Sequence, residues 1–181
     1  MEYADEGNLN SLIDKKIKPF DKNKNKWKES KILSIFVRLL LGLKEIHSKK
    51  IIHRDIKHLN ILLFKNGQVK LWDFGVWKEG DLGETNIILG EFTAPEVRQS
   101  KANYRNPVDV YSLGQVLYYW MFFKNSPPLA KEEKDNNHED STISLTNIPR
   151  RLGISNELCK IWEEMIRRDP RVRININDIL K

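Results

Sequence analysis

HRDIKHLNILLFKNGQVKLWDFG, residues 53 to 75, holds polar and charged groups at its two ends and apolar residues between them. The first eight positions carry His53, Arg54, Asp55, Lys57, His58 and Asn60, preceded by Ile51 and Ile52 and followed by Ile61, Leu62 and Leu63. Asn66-Gly67 interrupts the apolar run, and both residues tolerate φ > 0, so two short strands joined by a turn are expected. The second strand runs into Asp73-Phe74-Gly75. The loops at the open end of one hairpin lie side by side, which brings Asp55, Asn60 and Asp73 together. Two carboxylates and an amide oxygen in one place suit a hard cation such as Mg²⁺, which needs only one or two protein ligands when phosphates supply others. Lys57 adds a point charge for a phosphate, and Asp55 can take a proton from an attacking hydroxyl. With no Ser/His/Asp order and no zinc-type Cys/His spacing, the set points to phosphoryl transfer, a chemistry of positioning and electrostatics.

Helices surround this hairpin. Ile32, Ile35, Phe36, Leu39, Leu40, Leu43 and Ile46 recur at helical spacing, which predicts a helix over 30–47 with Ser30 as its N-cap. Pro107 suits a first helical turn and opens a helix running through Phe123. Leu158, Ile161, Trp162, Met165 and Ile166 define one face of a helix over 156–168, and a last helix begins at Asn177. Residues 76–92 and 124–149 read as connections, the second one polar. The layout is a mostly helical body carrying one small hairpin.

The bulk composition limits the classes of function. The chain has 181 residues and is 40% hydrophobic, enough for one domain, or one lobe of a larger one, with a real core. A single cysteine, Cys159, cannot form an internal disulfide and reads as a buried structural thiol. The opening MEYADEGNL is acidic where a secretory signal would be basic. The most apolar run, VLYYWMFF at 116–123, is short of the roughly 20 residues a membrane span requires and reads as a core helix. Net charge is +6, but residues 15–28 hold seven lysines and one aspartate, so the rest of the chain balances. That run reads as a solvated loop, with a patch for an acidic partner as the alternative. Neither nucleic acid nor membrane is expected as a partner, and Trp72, Trp77, Trp120 and Trp162 read as packing residues rather than a base-stacking platform. The location expected is cytoplasmic or otherwise intracellular.

Three pieces stand in order: H-R-D-x-K-x-x-N at 53–60, D-F-G at 73–75 and A-P-E at Ala94, Pro95 and Glu96. Each alone is common. Their order, spacing and strand–turn–strand context are specific, and together they resemble the signature set of the protein kinases. DVYSLG at 109–114 and RDPRVRI at 168–174 are similar to further segments of that family, and MEYADEGNL resembles its hinge. The resemblance extends over residues 1–181 and is strongest to the NIMA-related branch. It implies an α+β, mainly α-helical fold: the hinge and large C-terminal lobe of a partial kinase domain, with a small β-hairpin at the catalytic loop and the small N-terminal lobe absent. It implies a serine/threonine kinase that moves the γ-phosphate of ATP, with Mg²⁺, to Ser or Thr of a protein substrate.

Carried over position by position, Asp55 is the base, Lys57 steadies the transferred phosphate, and Asn60 and Asp73 hold Mg²⁺. Glu2 and Ala4 offer backbone hydrogen bonds to adenine, Leu62 lies against its face, and Asn8 sits near the ribose. His53 and Phe74 pack with Asp109, and Glu96 pairs with Arg173. Arg54 beside the base implies regulation by a phosphorylated loop, with Thr85 as the acceptor. Two departures stand out. ILGEFT precedes the A-P-E segment where kinases usually carry G-T-x-x-Y, which leaves Leu89 or Glu91 in place of a hydroxyl. No G-x-G-x-x-G loop, V-A-x-K lysine or partner glutamate is present in these residues. The alternative reading is therefore a catalytically inactive kinase-fold binding or scaffold module.

Overall fold

The computed structural model describes residues 4–16, 27–73, 91–99, 105–122 and 154–181. Glu2, Phe74, Trp77, Thr85, Leu89, Phe123, the connection 124–149 and most of the lysine run lie outside them. Two helices follow from the apolar periodicity. Helix α2, Glu29–Ser48, buries Ile32, Ile35, Phe36, Leu39, Leu40 and Leu43 along one stripe. It starts one residue before the expected N-cap, so Ser30 lies in its first turn, and Lys28 occupies the cap position without a side-chain bond. The start is set from a distance instead: both Glu29 carboxylate oxygens accept from Ser155, one from its hydroxyl at 2.7 Å and one from its backbone N–H. Helix α4, Pro107–Phe122, is buried on nearly every side, from Val108 through Tyr118. A helix apolar all round belongs in a core, and none among the described residues is long and apolar enough to cross a membrane.

The hairpin is present and has a third strand. Strands β2 (Ile61–Leu63) and β3 (Val69–Leu71) pair antiparallel, Leu63 opposite Val69, and β1 (Gly7–Asn8) adds to the other edge of β2. Only Gly67 of the central pair adopts positive φ, at +82°. Its N–H donates to Phe64 C=O at 2.9 Å, and Asn66 accepts from Gln68 N–H through its side chain at 2.9 Å. The connection is thus a three-residue loop with a left-handed glycine rather than a two-residue turn. Helix α1, Leu9–Lys16, follows β1 directly. Asn8 caps it by accepting from Ser11 N–H at 2.8 Å, so Lys15 and Lys16 end a helix instead of opening a loop.

Helix α5, Asn156–Met165, is capped by Ser155 and packs Leu158, Trp162 and Met165 inward. It lies across α4 at Gly114, where an added Cβ would stand 2.9 Å from Ile166 Cγ2 and 3.0 Å from Met165 Cβ. Trp120 meets Trp27 edge-on, and Tyr118 meets Trp162, with centroids 5.7 and 5.1 Å apart. Trp120 and Trp162 are the core residues expected, whereas Trp72 is 45% exposed. Cys159 is half-buried rather than buried, and burial together with Glu163 and Glu29 pushes its thiol pKa up, which suits an inert thiol.

Short helix α6 (Ile176–Ile179) packs Ile176 into the core, and short helix α3 (Pro95–Gln99) is joined to the residues before α6 by one ion pair. Arg173 grips Glu96 with both guanidinium nitrogens, at 2.6 and 3.0 Å, as the sequence pattern implied. Its remaining donors go to the carbonyls of Arg167, Pro107 and Arg168, and its guanidinium lies over the Tyr111 ring.

Two substitutions test this packing. Gly114→Ala should lower stability by about 1–3 kcal/mol, because overpacking against Ile166 and Met165 outweighs the roughly 1 kcal/mol that alanine gains in helix propensity; a raised melting temperature would contradict it. Lys50 sits left-handed at φ 60° just past α2. Its N–H bonds His47 C=O at 3.0 Å and Ile51 N–H bonds Ile46 C=O at 3.0 Å, the pattern that glycine usually completes. Lys50→Gly should therefore stabilise the protein by about 1 kcal/mol, measured by denaturant titration.

Candidate active site

The turn after α2 delivers the chain into residues 51–57, and one buried side chain fixes its course. Asp109, in the first turn of α4, accepts from His53 N–H through Oδ2 and from Arg54 N–H through Oδ1, each at 2.8 Å. A ring nitrogen of His47 lies 2.8 Å from the same Oδ2. Arg54 adopts φ 67°, a left-handed conformation that costs a non-glycine residue about 1–2 kcal/mol. The bond from its own N–H to a charged acceptor offsets this, since such bonds are worth about 1.5–3 kcal/mol. Beyond it Ile56 is buried and Asp55 and Lys57 stand at the rim.

Asp55, Lys57 and Asn60 meet as expected. Lys57 Nζ lies 2.7 Å from Asp55 Oδ2, with both side chains about one-third exposed. Asn60 is buried and its Nδ2 donates to the Asp55 backbone carbonyl and to Asp55 Oδ2, both at 2.9 Å. These two bonds fix the orientation of the amide and leave Oδ1 as the atom able to meet a cation. Asp73 is brought alongside: Trp72 N–H donates to Asn60 C=O at 2.8 Å, extending the β2–β3 ladder by one rung. Asp73 is exposed and left-handed, at φ 63°. One free amide oxygen and one carboxylate, with phosphates to complete the shell, fit an octahedral Mg²⁺.

The residues expected around adenine and ribose lie on the same sheet. Leu62 faces away from the core, between buried Ile61 and Leu63, and pairs with Asn8 across the strands. Ala4 stands at the entry to β1, where its carbonyl accepts from Gly7 N–H at 3.0 Å. The Asn8 side-chain oxygen is engaged with the Ser11 N–H and hydroxyl. Glu2 lies outside the described residues.

Two histidines belong to the site without having been singled out. His47 continues the buried stripe of α2 four residues after Leu43, and a histidine on an apolar stripe was the available signal. His58 packs between Phe92 and Tyr119, with centroids 5.2 and 4.7 Å away. It thereby ties the loop to the segment before Ala94. Ser112 ties the same segment to α4, its hydroxyl donating to Phe92 C=O at 2.8 Å.

Burial lowers the pKa of His53 below 6.5, opposed by Asp109, Asp55 and the Trp72 backbone. Burial lowers His58 too, against Asp14 and Glu91, while Lys57 adds to the lowering. Both rings are therefore packed neutral. A group whose folded value is depressed contributes stability that is present above its unfolded value and lost as pH falls toward the folded one. The melting temperature should then fall between pH 7 and 5, and His58→Phe should fall less steeply than the parent. An equal slope in the two proteins would contradict the assignment.

A family profile described as "Protein kinase domain" matches residues 1–181. Human serine/threonine-protein kinase Nek5 is 37% identical over 189 residues, covering 100% of this chain and 25% of that protein. Mouse serine/threonine-protein kinase Nek1 is 34% identical over 86% of the chain and 13% of its own length. A putative serine/threonine-protein kinase B of Trypanosoma brucei brucei is 32% identical over 98% of the chain and 41% of its own. The chain thus spans well under half the length of these relatives. With Asp55, Lys57 and Asn60 joined on a loop anchored by Asp109, and a matching profile over its full length, the chain belongs to the protein kinase family.

Proposed function

We propose that residues 1–181 form the hinge and large lobe of a serine/threonine protein kinase of the NIMA-related kind, which moves the γ-phosphate of ATP to a protein Ser or Thr hydroxyl. The observation that carries this reading is the Asp55–Lys57–Asn60 cluster. Asp55 Oδ2 is directed by Lys57 and Asn60, which leaves its other oxygen to accept the hydroxyl proton as the oxygen–phosphorus bond forms. Lys57 stands where it also meets the transferred phosphate. Asn60 and Asp73 would hold Mg²⁺, which when bound neutralises the charge of the phosphate oxygens. Leu62, Asn8 and Ala4 line the adenosine end of the same sheet, and Glu2 would offer adenine a backbone hydrogen bond. ATP as donor implies an intracellular site of action. The lysines of residues 15–28 read as solvated surface, with an acidic partner as the alternative.

This reading gives these residues one wall of a nucleotide cleft. Without a second wall the triphosphate stays in water, where each charge contact is weak, and nothing holds the γ-phosphate in line with the hydroxyl. A transfer assay with radiolabelled ATP should show residues 1–181 no more active than their Asp55→Ala variant. A chimera that places a relative's Gly-rich loop and V-A-x-K segment ahead of Met1 should phosphorylate a Ser/Thr substrate. Asp73→Asn in that chimera should reduce transfer by at least about a hundredfold, in the range of a lost electrostatic contact to the reacting group, with an unchanged melting temperature. A folded chimera without activity would favour the scaffold reading, for which Leu89 or Glu91 in place of the family's usual hydroxyl is the motive.

A further inference from the structure

A cavity of about 300 Å³ opens between the last turn of α2, the first turn of α4 and residues 173–177. Val110, Ile174 and Ile176 give it apolar surface; Lys44, His47 and Arg173 are its basic side chains, and no carboxylate lines it. Two of the three cations are already engaged. Arg173 is saturated by Glu96 and backbone carbonyls, and His47 bonds Asp109. Lys44 is exposed and makes no ion pair among the described residues. Asp178, next to Asn177, does not line the cavity, and its carboxylate meets Lys181 and Asn175. Exposed amides of Asn106 and Asn177 stand at the same opening.

We infer that this cavity binds a small apolar carboxylic acid, with the carboxylate on Lys44 and the apolar body against Val110, Ile174 and Ile176. The volume lies at the lower bound of small-molecule sites, roughly 300–1,000 Å³, so the ligand is of single-ring size. Lys44 and the amides supply donors for a carboxylate, and a charge-assisted bond of this kind is about twice as strong as a neutral one. The site also reaches the catalytic loop. His47 lines the cavity and bonds the Asp109 oxygen that holds His53 N–H. A ligand against His47 is therefore two hydrogen bonds from the loop backbone. That the loop is catalytic rests on the kinase reading; the binding does not.

The test uses the whole 181-residue chain without nucleotide, phenylacetate as the probe and amide NMR as the readout. Phenylacetate should give saturable shifts at Ser48, Val110 and Asn177, with coupled shifts at His53 and Arg54. The isosteric neutral phenylacetamide should bind at least about tenfold more weakly, as should phenylacetate to Lys44→Glu, where attraction becomes repulsion. Asn177→Trp, at an exposed position, should block the opening and abolish the shifts. Equal binding of the amide, unchanged binding to Lys44→Glu or shifts that do not saturate would overturn the site. Saturable binding that leaves His53 and Arg54 unmoved would overturn its link to the loop. Failure of the kinase reading would appear instead in the transfer assay, which contains no phenylacetate.

Discussion

Asp109 is a fully buried carboxylate, and the rest of the site depends on how that charge is satisfied. Removing a carboxylate from water costs several kcal/mol after relaxation. Three donors answer it: two consecutive backbone N–H groups of the loop and an imidazole of α2. Each charge-assisted bond is worth about 1.5–3 kcal/mol, so together the three are of the same order as the penalty. Moving the loop, tilting α2 or shifting the start of α4 would leave a buried charge short of a donor. The polar stretch between two apolar segments is thus held in place by a charge beneath it.

From Asp109 the constraint passes outward in steps. His53 is held by its own N–H, and its ring accepts from Asp55 N–H at 3.4 Å. Trp72 bonds Asn60. The loop and the end of β3 are therefore tied through the strand ladder. Arg54 and Asp73, the residues beside these ties, are both left-handed. Such conformations persist where surrounding bonds over-determine the backbone. Here they turn Asp55 and Asp73 toward the rim, while Ile56 stays buried.

Elements with a long period were legible in the sequence. The stripes of α2 and α5, the apolar length of α4 and the Asn66-Gly67 turn each announce themselves within a few residues of chain. Strand β1 was not legible, because two residues, Gly7-Asn8, carry no period. Helix α1 was hidden by its lysines, although Leu9 and Ile13 are fully buried. The five-residue α3 gains its place from Arg173, 77 positions away, and the start of α2 is set by Ser155, 126 positions away; no local pattern encodes either contact. Asn66-Gly67 marked the turn because both residues tolerate positive φ, and the three-residue loop uses it only at Gly67. For the site, the residue types and their order pointed to Asp55, Asn60 and Asp73 converging, with Lys57 beside Asp55; the structure joins Asp55, Lys57 and Asn60 directly and brings the Asp73 backbone next to them through Trp72. His47 and His58 escaped notice because their partners, Asp109, Phe92 and Tyr119, come from distant elements.

The first turn of α4 shows why an otherwise apolar helix starts with polar groups. Pro107 has no N–H to leave unsatisfied at a helix start, and its carbonyl accepts from Arg173 at 2.8 Å. Two residues on, Asp109 lies where the helix dipole favours negative charge and receives the loop. Ser112, one turn further, holds Phe92. Arg173, bound to Pro107, also carries Glu96 at the start of α3. One turn and a half of helix therefore fixes both the loop bearing Asp55 and the segment bearing Ala94 and Glu96. The apolar remainder of α4, locked against α5 at Gly114, gives that turn a rigid base. Because the two polar attachments share one helix end, a displacement of α4 would move both parts together and preserve their relative geometry, which is the quantity phosphoryl transfer requires.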